Sequence, residues 1–103
     1  MRVDLLYIAE CPNWEEARRL LRSALDSTEH QDVPIGVHLI DSEDSAGGRE
    51  FAGSPTILVD GVDLFPSGGR TRSLACRVYA TPGGFAGHPT HAQLEDALLS
   101  RSP

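Results

Sequence analysis

The alternation of apolar and polar residues divides the chain into strand-like and helix-like segments. An almost continuous apolar run over residues 3–8 has the length of a strand that is covered on both faces of a sheet. The next segment has apolar residues at helical spacing, at Trp14, Ala17, Leu20, Leu21, Ala24 and Leu25. Because proline suits the first helical turn, Pro12 predicts that this helix begins at Cys11 or Pro12.

Two later segments have the features of strands. Residues 33–39 alternate in the period-2 pattern of a strand with one buried face, and Pro34 places this strand at a sheet edge or marks its start. The β-branched residues 56–59 predict another strand, and Asp60-Gly61 is a strong hairpin signal leading into residues 62–65. The succession of strand, helix and strand at the start of the chain implies a right-handed parallel unit.

The remaining segments give weaker patterns. Residues 41–51 predict a short helix opened by Ser42, although Gly47 and Gly48 oppose it. Residues 74–79 fit either an added strand or one helical turn. Residues 90–93 form a capping box, and a last helix follows with an apolar face at Leu94, Ala97 and Leu98.

The composition is that of one folded domain spanning residues 1–103, with 40% apolar and 23% charged residues. A net charge of −6 gives no long-range attraction to nucleic acid or to anionic membranes, so neither is an expected partner. No apolar run approaches the roughly 20 residues that span a bilayer, and the first run lacks the order of a signal peptide. We therefore expect a cytoplasmic protein.

The two cysteines, Cys11 and Cys76, are the candidates for chemistry. Two are too few for a disulfide framework, and a reducing cytoplasm would keep them as thiols. At the start of a helix, the peptide dipoles would favour the Cys11 thiolate, which attacks disulfides and binds soft metals. The nearby acidic residues Glu10, Glu15 and Glu16 oppose this effect. For Cys76, which lies 65 residues further along, the alternatives are a buried structural role and a second thiol of the site.

The order of elements, together with Cys11-Pro12-Asn13-Trp14 and Ser54-Pro55-Thr56, resembles the thioredoxin-like fold. The resemblance covers most of the chain and implies an α/β fold with a single mixed sheet and helices on both faces. It also implies that Cys11 is the nucleophile and that a cis Pro55 faces it. Pro12, Trp14, Ser54, Pro55 and Thr56 would then contact substrate. Trp14 stands where the family has a second cysteine.

A narrower resemblance rests on residues 51–61 and 76–79, Phe51-Ala52-Gly53-Ser54-Pro55-Thr56-Ile57-Leu58-Val59-Asp60-Gly61 and Cys76-Arg77-Val78-Tyr79. These stretches are similar to small bacterial thioredoxin-like proteins that are often labelled alkylmercury lyase. This resemblance implies cleavage or capture of organomercury by Cys11 and Cys76.

Three functions follow as alternatives. The first is thiol–disulfide exchange, or a mixed disulfide with a small thiol or a protein, at Cys11 with Cys76 as a resolving thiol. The second is organomercury cleavage, and the third is a non-catalytic binding domain for a protein or a soft metal. No cofactor is expected. His88 and His91 do not predict a metal site, since Pro89 separates them from a common helical face and zinc needs about four ligands.

Overall fold

The computed structural model describes residues 1–42, 51–66 and 76–101 of the chain. These ranges contain α-helices and β-strands, so the protein is of the mixed α/β class that the pattern predicts. The strands are β1 (Val3–Tyr7), β2 (Ile35–Leu39), β3 (Thr56–Val59), β4 (Val62–Asp63), β5 (Tyr79–Thr81) and β6 (Gly84–Ala86). The helices are α1 (Trp14–Ser27) and α2 (His91–Arg101). Neither helix is long and apolar enough to cross a membrane, which holds for every helix in the described ranges.

The larger sheet has the strand order β2-β1-β3-β4. Strand β1 pairs in parallel with β2 and antiparallel with β3, which makes the sheet mixed and β1 central. The prediction of a parallel strand–helix–strand unit and of a central first strand is thus confirmed. Pro34 directly precedes β2, an edge strand of this sheet, as its position in the sequence indicates.

The Asp60-Gly61 hairpin is also confirmed, and it joins β3 to β4. Both turn residues have positive φ values, 53° and 81°, as a two-residue hairpin turn requires. Strand β4 ends at Asp63 rather than at Phe65. The reason is local, because the Phe65 N–H donates to Asp63 Oδ1 at 2.9 Å instead of continuing a strand ladder.

Successive residues of the central strands supply two separate apolar clusters, because side chains alternate between the faces of a sheet. On one face, Leu5 packs in the cluster to which α1 and α2 both contribute. On the other face, Leu6 packs with Ile8, Cys11, Ile40, Phe51 and Leu58. Both described helices therefore contribute to the cluster on the same face. Residues 43–50, which carry most of the helix predicted over 41–51, lie outside the described part of the chain.

Helix α1 begins at Trp14, so the prediction of a start at Cys11 or Pro12 is wrong. Asn13 is the N-cap residue, and its carbonyl accepts the first helical hydrogen bond, from Ala17 N at 3.1 Å. Cys11 is held in a turn before the helix, where its N–H donates to Ile8 O at 3.3 Å. This turn directs Cys11 into the apolar cluster and away from the first helical turn.

Three further predictions concern strands. Of residues 74–79, which the pattern left as an added strand or one helical turn, the first two lie outside the described part of the chain; Cys76 makes an isolated parallel bridge to Ser54, and Tyr79 begins the added strand β5. Strands β5 and β6 form a second sheet, so the described residues contain two sheets instead of one. In β2, Val37 and Leu39 are exposed, so the apolar face that the pattern predicted to be buried is covered only in part.

Candidate functional site

Cys11 is fully buried in the apolar cluster on the face opposite the helices. Its thiol donates to the Ser54 carbonyl oxygen, with 3.5 Å between Sγ and O. The Asn13 side-chain amide donates to Cys11 Sγ at 4.0 Å. The sulfur is therefore enclosed by apolar side chains but has polar partners at the beginning of β3.

Ser54 connects Cys11 to a distant part of the chain. Its hydroxyl accepts a hydrogen bond from Ile8 N at 3.0 Å, which fixes the turn that carries Cys11. Its carbonyl accepts from Arg77 N at 2.8 Å as well as from the Cys11 thiol. The Ser54–Pro55 peptide bond is cis, as the resemblance implies.

Cys76 lies beside Cys11, although 65 residues separate them in the sequence. The parallel bridge to Ser54 places Cys76 at the residue that also accepts the Cys11 hydrogen bond. The hydrogen bond with Cys11 raises the pKa of Cys76, with slight burial and the negative charge of an ionised Cys11 acting in the same direction. In contrast to Cys11, Cys76 is exposed.

Arg77 fixes the segment that carries Cys76. Its side chain is almost completely buried, and Nη1 lies 2.9 Å from Asp63 Oδ2. Nη2 donates to the Phe65 carbonyl, and the guanidinium lies 4.5 Å from the centre of the Tyr79 ring. A buried arginine with a carboxylate partner costs much less than an unpaired one. The pair therefore holds residues 76–79 against the hairpin of β3 and β4.

Tyr79 and Gly53 complete this attachment. The Tyr79 hydroxyl donates to the Pro55 carbonyl, and burial raises the pKa of the phenol well above its usual value. Gly53 has a φ of 108°, and a Cβ atom there would lie 2.9 Å from Arg77 Cβ. The close approach of the two backbones thus requires glycine at this position.

Sequence reasoning did not identify Arg77, Asp63, Tyr79 or Gly53 as part of the site. An arginine in a mostly apolar run is usually solvated, and nothing in the sequence pairs it with a carboxylate 14 residues earlier. The alternation in Cys76-Arg77-Val78-Tyr79 was the available signal, since it places Arg77 and Tyr79 on one face and Cys76 on the other.

The residues predicted to present a substrate-binding edge are enclosed by other residues of the same chain. Ser54, Pro55 and Thr56 are buried. The Ser54 carbonyl accepts a hydrogen bond from Arg77 N, and the Pro55 carbonyl accepts one from the Tyr79 hydroxyl. Both carbonyls are therefore hydrogen-bonded to residues of the same chain.

Thr56 hydrogen-bonds within its own loop, to Ala52 N and Gly53 O. Of the other predicted contact residues, Trp14 is half-buried and stacks on Tyr7 with 4.0 Å between ring centres. Pro12 is exposed next to Cys11.

The acidic residues near Cys11 are exposed, and one of them has a partner. The Arg19 guanidinium forms two hydrogen bonds of 2.7 Å with Glu16, which lower the pKa of this carboxyl. His91, a candidate that the sequence did not favour as a ligand, instead contacts Ser23 Oγ and Glu95 between the two helices. Within residues 1–42, 51–66 and 76–101, no three His, Cys, Asp or Glu side chains converge on a metal position.

No family model, curated protein or solved structure matches this chain. The chemistry of the site therefore rests on its own geometry. Two thiols placed at the same residue, Ser54, one exposed and one buried, can exchange with an external disulfide and can close a disulfide between themselves.

Proposed function

We propose that the protein is a thioredoxin-like thiol–disulfide exchange protein of the cytoplasm, with Cys11 and Cys76 as its redox pair. The observation that carries the proposal is the placement of both cysteines at Ser54, Cys11 buried and Cys76 exposed. The element order and the cis peptide bond before β3 support the thioredoxin-like assignment.

The difference in exposure assigns the two roles. An external disulfide can reach the sulfur of Cys76, whereas Cys11 is enclosed in the apolar cluster. Cys76 is accordingly the attacking thiol, and Cys11 is the resolving thiol. These roles are the reverse of those that the resemblance implies.

The reaction proceeds in two exchanges, starting from two thiols, since the Cys11 thiol donates to the Ser54 carbonyl. The exposed Cys76 loses its proton to solvent as its sulfur attacks one sulfur of the substrate disulfide, which forms a mixed disulfide and releases one substrate thiolate. Cys11 then loses its own proton to solvent and attacks the Cys76 sulfur. The second substrate thiolate leaves, and a Cys11–Cys76 disulfide remains. The substrate disulfide is reduced by two electrons, and the two cysteines supply them.

Trapping of the mixed disulfide tests these roles. In Cys11→Ala, the resolving thiol is absent, so a blocked peptide disulfide should leave a stable adduct on Cys76. In the wild-type protein the adduct should be transient, and in Cys76→Ser the folded protein should form none. Mass spectrometry of acid-quenched samples measures the adduct. An adduct on Cys11 in folded Cys76→Ser, or no internal disulfide in the wild type, would contradict the assignment.

Capture and cleavage of organomercury is a second candidate, which the placement of both cysteines at Ser54 favours. Cys76 holds its proton next to the Cys11 sulfur, as its raised pKa indicates. With an organic mercury group on Cys11, transfer of the Cys76 proton to the carbon would release the hydrocarbon. Mercury would then remain bound to both sulfurs, which suit a soft metal.

Incubation with phenylmercuric acetate decides this second candidate. Benzene release that needs both cysteines would support cleavage. Binding of the mercury without benzene would reject cleavage and leave a soft-metal binding protein.

A further inference from the structure

A strip of exposed apolar residues begins at the Cys76 thiol. Along residues 76–80 exposure alternates, with Cys76, Val78 and Ala80 facing outward and Arg77 and Tyr79 buried. Phe85 pairs directly with Ala80 across the two strands of the second sheet, so both side chains lie on the same face. We call the residues Cys76, Val78, Ala80 and Phe85 the apolar strip.

The side chains of the apolar strip are unusually open to solvent. Val78 is 66% exposed and Phe85 is 83% exposed. Single exposed apolar residues are common on protein surfaces, but a contiguous set is typical of an interaction site. This set lies next to the exposed Cys76 thiol, so a partner bound to it would lie close to the reacting sulfur.

A surface cavity of about 380 Å³ adjoins the strip, lined by residues that include Phe65, Val78, Tyr79 and Ala80. Its volume is within the range of pockets that hold a ligand group. Arg77 also lines the cavity, but its positive charge is already paired with the Asp63 carboxylate. The cavity therefore favours an apolar side chain rather than an anion.

We infer that the apolar strip docks an extended segment of a partner polypeptide that carries the substrate disulfide, with an apolar residue two positions from its half-cystine. The inference rests on the proposed exchange function. Cys76, Val78 and Ala80 recur at every second residue, which is the side-chain repeat of an extended chain, and together they span about 13 Å. Oxidised glutathione lacks such a segment, and its negative charges are disfavoured by a chain with a net charge of −6.

Two blocked pentapeptide disulfides test the inference. Both have a central cysteine, and they carry either leucine or serine at both ends. The rate of adduct formation on Cys76 is measured in the Cys11→Ala background, where the adduct accumulates. We expect the leucine peptide to react about tenfold faster, equivalent to about 1.4 kcal/mol. In Val78→Ser with Phe85→Ser, the two rates should become equal.

Leu99→Ser is the matched control, because Leu99 is 57% exposed on α2, outside the apolar strip. This variant should keep the preference for the leucine peptide, and circular dichroism checks that all variants fold. Phe85→Ser alone, at the most exposed of these positions, replaces the double variant if that variant unfolds.

Equal rates for both peptides in the unsubstituted strip would overturn the docking inference while leaving the exchange function intact. Absence of any adduct on Cys76 would overturn both.

Discussion

The character of the site depends on the environment of two sulfur atoms. Cys11 was predicted to lie at a helix start, but the turn at Ile8 places it before the helix and within an apolar cluster. Its polar neighbours are Ser54, Asn13 and Cys76. The electrostatic environment of the sulfur is therefore set by these three residues. Hydrogen bonding with Cys11, more than burial, raises the pKa of Cys76.

The pH dependence of Cys76 alkylation tests that interaction. The hydrogen bond and the charge of Cys11 raise the pKa of Cys76, so removing Cys11 should lower it. In Cys11→Ala, the rate of reaction with iodoacetamide should reach half its maximum at a lower pH than in the wild type. Peptide mass spectrometry measures alkylation of Cys76 alone. A midpoint that does not move, or that moves to higher pH, would show that the two thiols do not interact.

At the scale of elements, the site consists of the hairpin of β3 and β4, the turn that carries Cys11, and residues 76–79. The hairpin of β3 and β4 supplies Asp63, which pairs with Arg77 and fixes the segment carrying Cys76. Local signals predicted the hairpin, whereas the cis bond at Pro55 was implied only by the resemblance to the thioredoxin-like fold. The Arg77–Asp63 pair is a tertiary contact, which no local pattern encodes, and the sequence therefore did not predict it.

Gly53→Ala tests the attachment of this segment. A methyl group would meet Arg77 Cβ at 2.9 Å, and a φ of 108° is unfavourable for alanine. We expect a loss of about 1–3 kcal/mol of unfolding free energy and slower closure of the Cys11–Cys76 disulfide. Urea unfolding and thiol trapping measure the two effects.

Gly61→Ala is the control for the cost of placing alanine at a positive φ. Gly61 has a φ of 81°, but no atom lies within 4 Å of the added Cβ. This variant should lose stability without a change in disulfide closure. Equal slowing in both variants would mean that the contact between Gly53 and Arg77 does not position the thiols.

For the whole molecule, the sequence predicted the mixed sheet, its central first strand and the α1 and α2 helices, because apolar periodicity is a local property. It did not predict the second sheet of β5 and β6, since each of these strands has only three residues, too few to show a period. Nor did it predict that the molecule's own residues 77–79 occupy the edge beside Pro55. That arrangement depends on contacts between parts of the chain that are far apart in sequence.

The redox state should change the stability of the whole protein. A disulfide between Cys11 and Cys76 closes a loop of about 65 residues, and the restricted unfolded chain should stabilise the fold by about 2–4 kcal/mol. Urea unfolding of the oxidised and reduced protein measures the difference. Cys76→Ser should show none under the same treatments. A less stable oxidised form would mean that the folded structure cannot accommodate the bond.

A redox titration in glutathione buffers, with the remaining thiols alkylated and mapped by mass spectrometry, tests the pairing of the two cysteines most directly. The account predicts that Cys11 and Cys76 lose their free thiols together, in one two-electron transition that ends in an internal disulfide. Glutathione bound stably to Cys76 while Cys11 stays free would contradict it.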